Sequence, residues 1–161
     1  MNNKDEVPNQ ETPGQQFLIQ RIYLKDVSFE SPNAPVIYAE EWKPDTNLQL
    51  NTQAKPIADN LYEVELQITI TVKSNDNVAF LIEVTQAGVF EIKGYKDEQI
   101  NFVLATHCPS ILFPYAREAI ASLVSKGSFP EMHLSPINFD ALYAQNLEQQ
   151  EAASQTEETK A

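Results

Sequence analysis

The sequence is poor in the residues on which metal, disulfide and nucleotide sites depend. It has one cysteine, Cys108, two histidines, His107 and His133, and four glycines among 161 residues. One cysteine cannot form an intrachain disulfide, which is typical of a reducing compartment. One cysteine and two histidines are too few for a four-ligand zinc site within one chain. No glycine-rich loop follows a strand pattern, so we expect no phosphate cradle, no metal and no cofactor.

Long apolar segments are also missing. The N-terminus, MNNKDEVPNQETPGQQ, has neither the apolar core nor the cleavage site of a secretory signal. The longest mostly apolar stretch, residues 100–112, contains five polar or helix-breaking residues. It falls short of the ~20 apolar residues that a membrane-spanning helix needs. We expect a soluble, cytoplasmic protein that does not insert into a membrane.

Basic residues are few relative to acidic ones. The chain has 11 Lys and Arg against 23 Asp and Glu, a formal net charge of −12. This sign argues against binding to nucleic acid or to anionic membranes, which carry the same charge. Two explanations remain open, because the charge either attracts a basic partner or serves solubility alone.

Length and composition predict one domain with polar ends. A chain of 161 residues has the size of a single domain. Residues 1–14 are polar and contain two prolines, and residues 151–161 contain no large apolar residue. We predict a disordered lead over 1–14, one folded domain over 15–150 and a disordered acidic tail over 151–161.

Alternating apolar residues in the first half indicate β-strands. Every second residue over 62–72 is apolar, as in a strand with one buried face. Turn-forming residues at 74–77 separate this run from a second one over 78–84, which predicts a hairpin. Further strands are predicted over 17–29 and 89–95.

The second half changes to helical spacing. Apolar residues over 100–124 recur at intervals of three and four. We predict a long helix over 97–126, kinked midway by Pro109 and Pro114, and a shorter final helix over 139–147. Strands followed by helices indicate an α+β fold, with an antiparallel sheet and helices on one face.

An irregular crossover is predicted over residues 30–58, where four prolines interrupt any continuous ladder. Tyr38 and Trp42 lie in this segment. Either they line an apolar groove or they form a satellite of the core under a long loop, and both remain open. The same alternatives apply to their apolar neighbours Val36, Ile37, Leu48 and Leu50.

Candidates for chemistry are weak. Cys108 is the one possible thiol nucleophile, with His107 or His133 as base, but it lies in an apolar segment and is expected to be buried and inert. Asp26 and Glu30, four residues apart, are predicted to share one face of a strand, either as a docking surface or as a solvated face. We therefore predict a binding protein rather than an enzyme, and an inert structural oligomer remains as a third class.

Four segments of the sequence closely resemble the SecB family of bacterial preprotein chaperones. The resemblance covers residues 17–147 in the family's order, and the run LFPYARE is the most distinctive part of it. The segments are FLIQRIYLKDVSFESPNAP over 17–35, FLIEVTQAGVFEIKG over 80–94, CPSILFPYAREAIASLVSKGSFP over 108–130 and PINFDALY over 136–143.

The resemblance implies both an architecture and a function. The family's fold is a four-stranded antiparallel sheet with a long helix and a shorter C-terminal helix packed on one face. Its members are homotetramers, built as dimers of dimers, and use no cofactor. They bind unfolded secretory preproteins in hydrophobic grooves, keep them competent for translocation and deliver them to SecA, the ATPase of the Sec translocase.

The resemblance also implies roles for nine residues. Matching positions in the family dock the zinc-bearing tail of SecA, border the peptide groove or affect assembly of the two dimers. Ile82 stands where a cysteine is familiar in the family, an apolar exchange that packing tolerates. The docking positions are Asp26, Glu30, Leu81 and Glu83, the groove positions are Tyr38 and Trp42, and the tetramer-interface positions are Ile82, Val84 and Gln86.

Overall fold

The computed structural model describes residues 14–158, with side chains described to residue 156. A four-stranded antiparallel sheet is followed by three helices, which confirms the predicted α+β fold. The elements are β1 Gln16–Glu30, a 3-10 turn Val36–Ala39, β2 Pro44–Ala58, β3 Leu61–Ser74, β4 Asn77–Lys93, α1 Asp97–Ala105, α2 His107–Lys126 and α3 Phe139–Glu158.

The strand order across the sheet is β1-β4-β3-β2, so β1 and β2 are the edges. The β3–β4 connection is the predicted hairpin. Asn75 and Asp76 both have positive φ, of 51° and 65°. Two-residue hairpin turns of this kind need left-handed backbone, which Asn and Asp tolerate better than most residues. The turn therefore fixes the register of the two central strands.

The crossover prediction was wrong for residues 44–58, which form the whole of β2. Two of the four prolines belong to this strand, Pro44 at its first position and Pro56 near its end. Proline is tolerated at these places because β2 is an edge strand, where an absent N–H need not interrupt a ladder. Only residues 31–43 connect β1 to β2.

The prediction of two strands on either side of Gly88 was also wrong, because β4 is one strand of 17 residues. Gly88 pairs with Ile22 on one side and Val64 on the other. A Cβ atom at Gly88 would lie 2.9 Å from the ring of Phe90. The glycine therefore makes room for an aromatic ring instead of ending the strand.

The core lies between the two central strands and α2. Alternate residues of β3 and β4 are buried on the face that α2 covers, as the period-two pattern predicted. Burying each such side chain is worth about 1.5–3 kcal/mol. The largest buried residues of the sheet are Val64, Leu66, Ile68, Ile70, Val72, Phe80, Ile82, Val84, Phe90 and Ile92, and those of α2 are Leu112 and Ile120.

The predicted long helix is divided at Thr106, which has φ −122° and ψ −63°. Pro109 explains the position of the break, because a proline ring clashes with the carbonyl four residues earlier, here that of Ala105. The hydroxyl of Thr106 donates to the Phe102 carbonyl at 2.7 Å. Pro114 lies within the continuous helix α2. The interruption is thus upstream of both prolines and not between them.

Helix α3 extends to Glu158, well beyond the predicted end at residue 147. Residues 151–158, expected to be disordered, are therefore helical. Their sequence is rich in Glu, Gln and Ala, which are strong helix formers, but has no large apolar residue to indicate a packed helix. The predicted lead over 1–14 lies outside the described residues except for Gly14, which is in a turn.

Candidate functional site: an acidic patch and an apolar groove

The face of the sheet opposite the helices brings the four predicted docking residues together. Directly paired residues of an antiparallel sheet share a face. Asp26 pairs with Thr85, Ser28 with Glu83, and Glu30 with Leu81. We define Asp26, Glu30, Leu81 and Glu83 as the acidic patch; its three carboxylate side chains are exposed.

A β-bulge at Lys25 places the side chain of Asp26 on the outer face of the sheet. The pairing shifts by one residue between Leu24, opposite Gln86, and Asp26, opposite Thr85. Without the extra residue, Lys25 would pair with Thr85 and Asp26 would turn to the helix-covered face. Bulges commonly re-aim side chains in this way. No feature of the sequence indicates this bulge.

The acidic patch differs from the carboxylates at Glu63, Glu65 and Glu91 in having no ion pair within the described side chains. Among the side chains of residues 14–156, none of its carboxylates takes part in an ion pair. Farther along the sheet, Lys25 pairs with both Glu63, at 2.9 Å, and Glu65, and Lys55 approaches Glu63 at 3.4 Å. The patch therefore carries three carboxylates whose charge no ion pair within the described residues neutralises, as is also true of exposed acidic residues elsewhere, such as Asp97 and Glu98.

The paired carboxylate Glu63 belongs to a structural network instead. It accepts hydrogen bonds from the Tyr23 hydroxyl and from Lys25. These bonds favour the ionised form and lower the pKa of Glu63 to about 2. Burial and the bond to Glu63 raise the pKa of Tyr23 to about 12. The network links β1 to β3 across β4. Its contacts therefore stabilise the sheet.

Residues 31–43, which we call the strap, cross one end of the sheet from β1 to β2. Tyr38 is 49% exposed, whereas Trp42 is half-buried. The Tyr38 hydroxyl donates to the Gly127 carbonyl at the end of α2, at 2.7 Å. Both rings lie against Phe129, with centroids 5.3 and 5.8 Å away. The strap therefore presents two aromatic rings that are fixed to the core on one side and open on the other.

A groove runs between the edge strand β2 and the helices, and apolar side chains line it together with polar ones such as Gln53 and Asn101. It consists of two adjoining cavities of about 540 and 480 Å³ that share Thr52 and Ala105. Leu48 and Leu50 come from the alternating pattern of β2, which could have indicated a strand with an exposed apolar face. The walls on the helix side, which sequence reasoning missed, include Ile100, Leu104, Ile137, Phe139, Leu142 and Tyr143.

The three predicted tetramer-interface residues lie inside the single chain. Ile82 and Val84 have no exposed surface, and Gln86 is 4% exposed. All three point to the face of β4 that lies under α2 in the same chain. Their side chains present no surface to another subunit, so any effect on assembly has to act through the packing of α2 on the sheet.

The candidate thiol chemistry is not supported by the geometry. Cys108 is buried, and burial raises the pKa of its thiol to about 12. The His107 ring is exposed and lies against Phe17, with centroids 4.9 Å apart. His133 lies in the loop after α2, 3.9 Å from Glu131. In the described part of the chain, no cluster of three metal-ligating side chains occurs, and none of its helices is long and apolar enough to cross a membrane.

A groove along an edge strand, an acidic patch without ion pairs in the described chain and a buried thiol favour a binding protein over a thiol enzyme. Comparison with known proteins agrees. The family described as "Preprotein translocase subunit SecB" matches residues 9–150. The chain therefore belongs to the SecB family, and it is a chaperone of protein export and not an enzyme.

Two curated relatives carry the name "Protein-export protein SecB". The one from Thioalkalivibrio sulfidiphilus is 54% identical over 150 residues, covering 92% of this chain and 89% of the relative. The one from Marinobacter nauticus is 53% identical over 152 residues, covering 93% and 91%. Among solved structures, the SecB-like chaperone of Mycobacterium tuberculosis, in complex with an antitoxin peptide, has a TM-score of 0.61. It is 18% identical, covers 76% of this chain and shares the fold.

Proposed function

We propose that this chain holds unfolded preproteins in the groove beside β2 and against the aromatic strap, whose Tyr38 and Trp42 line neither groove cavity. The observation that carries the proposal is a pair of adjoining cavities, about 540 and 480 Å³, along an edge strand, of which the second is lined mainly by apolar side chains. Such a surface suits many sequence-tolerant apolar contacts. Each Leu- or Phe-sized side chain buried there contributes about 1.5–3 kcal/mol before ordering costs.

Delivery to SecA is the second part of the proposal. The acidic patch offers three exposed carboxylates without a partner in the described chain, next to the half-buried Leu81. A cationic tail on SecA would meet preformed negative charge, which favours fast and salt-sensitive association. Because the patch and the groove lie on opposite faces of the sheet, one chain can contact a client and SecA together.

We further propose a cytoplasmic homotetramer, a dimer of dimers, as the working form. Grooves on four linked subunits would engage one flexible client, and avidity could exceed single-site affinity by about 10²–10⁴. Ile82, Val84 and Gln86 would influence assembly by setting how α2 lies on the sheet. Multi-angle light scattering gives the mass directly, and a monomer mass at micromolar concentration would contradict the tetramer.

The groove assignment is tested with two matched charge insertions on β2. Leu48 is 41% exposed and lines the groove, whereas Ile57 is 49% exposed on the same strand and lines neither groove cavity. Leu48→Asp should weaken binding of a chemically unfolded preprotein by about tenfold or more, because one apolar contact is lost. Ile57→Asp should bind as the unchanged protein does. Equal affinities of the two variants, measured by calorimetry, would refute this assignment.

A further inference from the structure

The chain between α2 and α3 is held in place by few hydrogen bonds. Residues 130–137, which we call the connecting segment, have neither helical nor strand structure. In the described part of the chain they take part in no backbone–backbone hydrogen bond. Pro130 and Pro136 contribute to this, because proline has no N–H to donate. The position of the connecting segment therefore depends on its contacts with side chains.

Within the described residues, one hydrogen bond ties the connecting segment to α2. Nε of Arg117 donates to the carbonyl oxygen of Leu134 at 2.8 Å, and Leu134 is 9% exposed. A charged donor makes a stronger hydrogen bond than a neutral one. Arg117 belongs to the run LFPYARE, and among the side chains of residues 14–156 its guanidinium forms no ion pair. Its polar contact in that part of the chain is therefore the bond to the connecting segment.

Packing between α2 and the connecting segment is incomplete. A cavity of about 480 Å³ lies where the two meet, and Arg117 forms part of its wall. The wall also includes Ser122 and Ser125 from α2, and Glu131 and Met132 from the connecting segment. Side chains that border a cavity lose attractive contacts on that side. Packing therefore fixes the connecting segment less firmly than it fixes the core, and the Arg117 bond has a larger share in its position.

The position of Leu134 affects the wall of the groove three residues later. Ile137 and Phe139 line the second cavity of the groove. Ser135 and Pro136 are all that separates the bonded carbonyl of Leu134 from Ile137. A proline ring fixes its own φ and restricts the backbone of the residue before it. A short, stiff link therefore joins the Arg117 bond to the groove wall.

We propose that Arg117 is a positioning residue for client binding, because its bond to Leu134 holds the groove wall at Ile137 in place before a client arrives. The proposal rests on the proposed function, since it takes the groove as the place where clients bind. A wall that is already ordered lowers the entropy lost when the client binds. Without the bond, the client itself has to order the wall, and its affinity falls.

The test replaces Arg117 in the full chain and measures client binding by calorimetry at several temperatures. Arg117→Met keeps an unbranched stem and a good helix former but removes every donor. We expect the affinity for a chemically unfolded preprotein to fall by about fivefold or more, because a charged hydrogen bond that orders the wall is lost. The heat-capacity change of binding should become more negative, since the connecting segment then buries apolar surface only when the client binds.

Two variants on α2 serve as rescue and control. Arg117→Lys restores a charged donor and should bind the client within about twofold of the unchanged protein, because a single bond to a carbonyl does not need the arginine fork. Lys126→Met removes one positive charge from an exposed position of the same helix, where the described side chains offer no ion pair. It should leave both the affinity and the heat-capacity change as they are.

Pro136→Gly tests the stiff link separately and leaves Arg117 in place. Pro136 is exposed, so this replacement adds backbone freedom without opening the core. It should weaken client binding and change the heat capacity of binding in the same direction as Arg117→Met. Because its side chain is outside the core, this variant answers the question even where Arg117→Met does not fold.

The proposal is overturned by client affinity of Arg117→Met equal to that of Lys126→Met, by an unchanged heat-capacity change in Arg117→Met, or by full client affinity of Pro136→Gly. An equal loss in Arg117→Lys and Arg117→Met would also overturn it. A loss of affinity in Leu48→Asp with none in Arg117→Met would remove this inference alone. Failure of the unchanged protein to bind the unfolded preprotein would instead overturn the proposed function, and this inference with it.

Discussion

Individual carboxylates on the outer face of the sheet differ in whether they form an ion pair with a lysine, and we propose that the unpaired ones of the patch dock SecA. Asp26→Lys or Glu83→Lys should weaken binding of the SecA tail by about tenfold, which is about 1.4 kcal/mol of binding free energy. Client holding should stay unchanged. Glu65→Lys is the control, since it makes the same charge change at a carboxylate already paired with Lys25. Equal tail affinity of all three variants in low salt would remove the docking assignment.

The Tyr23–Lys25–Glu63 network predicts an acid-sensitive contribution to stability. The pKa of Glu63 falls from its ordinary 4.5 to about 2 on folding. Its stabilising effect is therefore complete above pH 4.5 and is lost as the pH falls towards 2. Glu63→Gln should flatten the pH dependence of the unfolding free energy in this window, as measured by urea titration. Glu98→Gln, an exposed carboxylate of α1 outside the network, should retain the wild-type slope.

The sheet face or the burial of a residue could be predicted from the sequence where the local pattern alone determines it. The shared face of Asp26 and Glu30 followed from their spacing on one strand, and the burial of Cys108 followed from its apolar surroundings. The bulge at Lys25 could not be predicted, because one unpaired residue depends on the register with β4. The burial of Ile82 and Val84 in the chain's own core became clear only from the position of α2.

Among the elements, helix α1 has a distinct role because it forms one wall of the groove. Its separation from α2 follows from the clash between Pro109 and the Ala105 carbonyl. Pro109→Ala should allow the two helices to approach a continuous helix, which moves Ile100 and Leu104 relative to β2. We expect client affinity to fall several-fold while circular dichroism shows a small gain in helix.

Pro114→Ala is the matched control for this prediction. Pro114 lies inside α2, which continues through it, and its side chain is exposed. Its replacement should leave client affinity unchanged. If both proline variants bind the client as tightly as the unchanged protein, the position of α1 does not determine the groove.

The elements were predicted best where the pattern was strong and local. The alternation over 62–72 identified β3, and the change to helical spacing identified the α2 region. β2 could not be predicted because its prolines argue against a strand more strongly than the alternation of Leu48 and Leu50 argues for one, and only the strand order shows that β2 is an edge. The far end of α3 was missed because a polar helix of Glu, Gln and Ala carries no apolar period.

At the scale of the whole molecule, the acidic residues behind the charge of −12 differ in whether a lysine pairs with them. Lysines compensate Glu63, Glu65 and Glu91, whereas the patch carboxylates have no such partner in the described chain. The sheet separates this charged face from the apolar groove, so that opposite faces carry the two proposed contacts.

The most direct test of the account is light scattering from a chemically unfolded secretory precursor diluted into buffer. The assay is run with and without this protein, and no nucleotide is added. The account predicts that aggregation is suppressed at about one tetramer per precursor, because apolar grooves on linked subunits hold one client at a time. Unchanged aggregation at a severalfold excess of the chaperone would contradict the holding function and leave the groove without its proposed occupant.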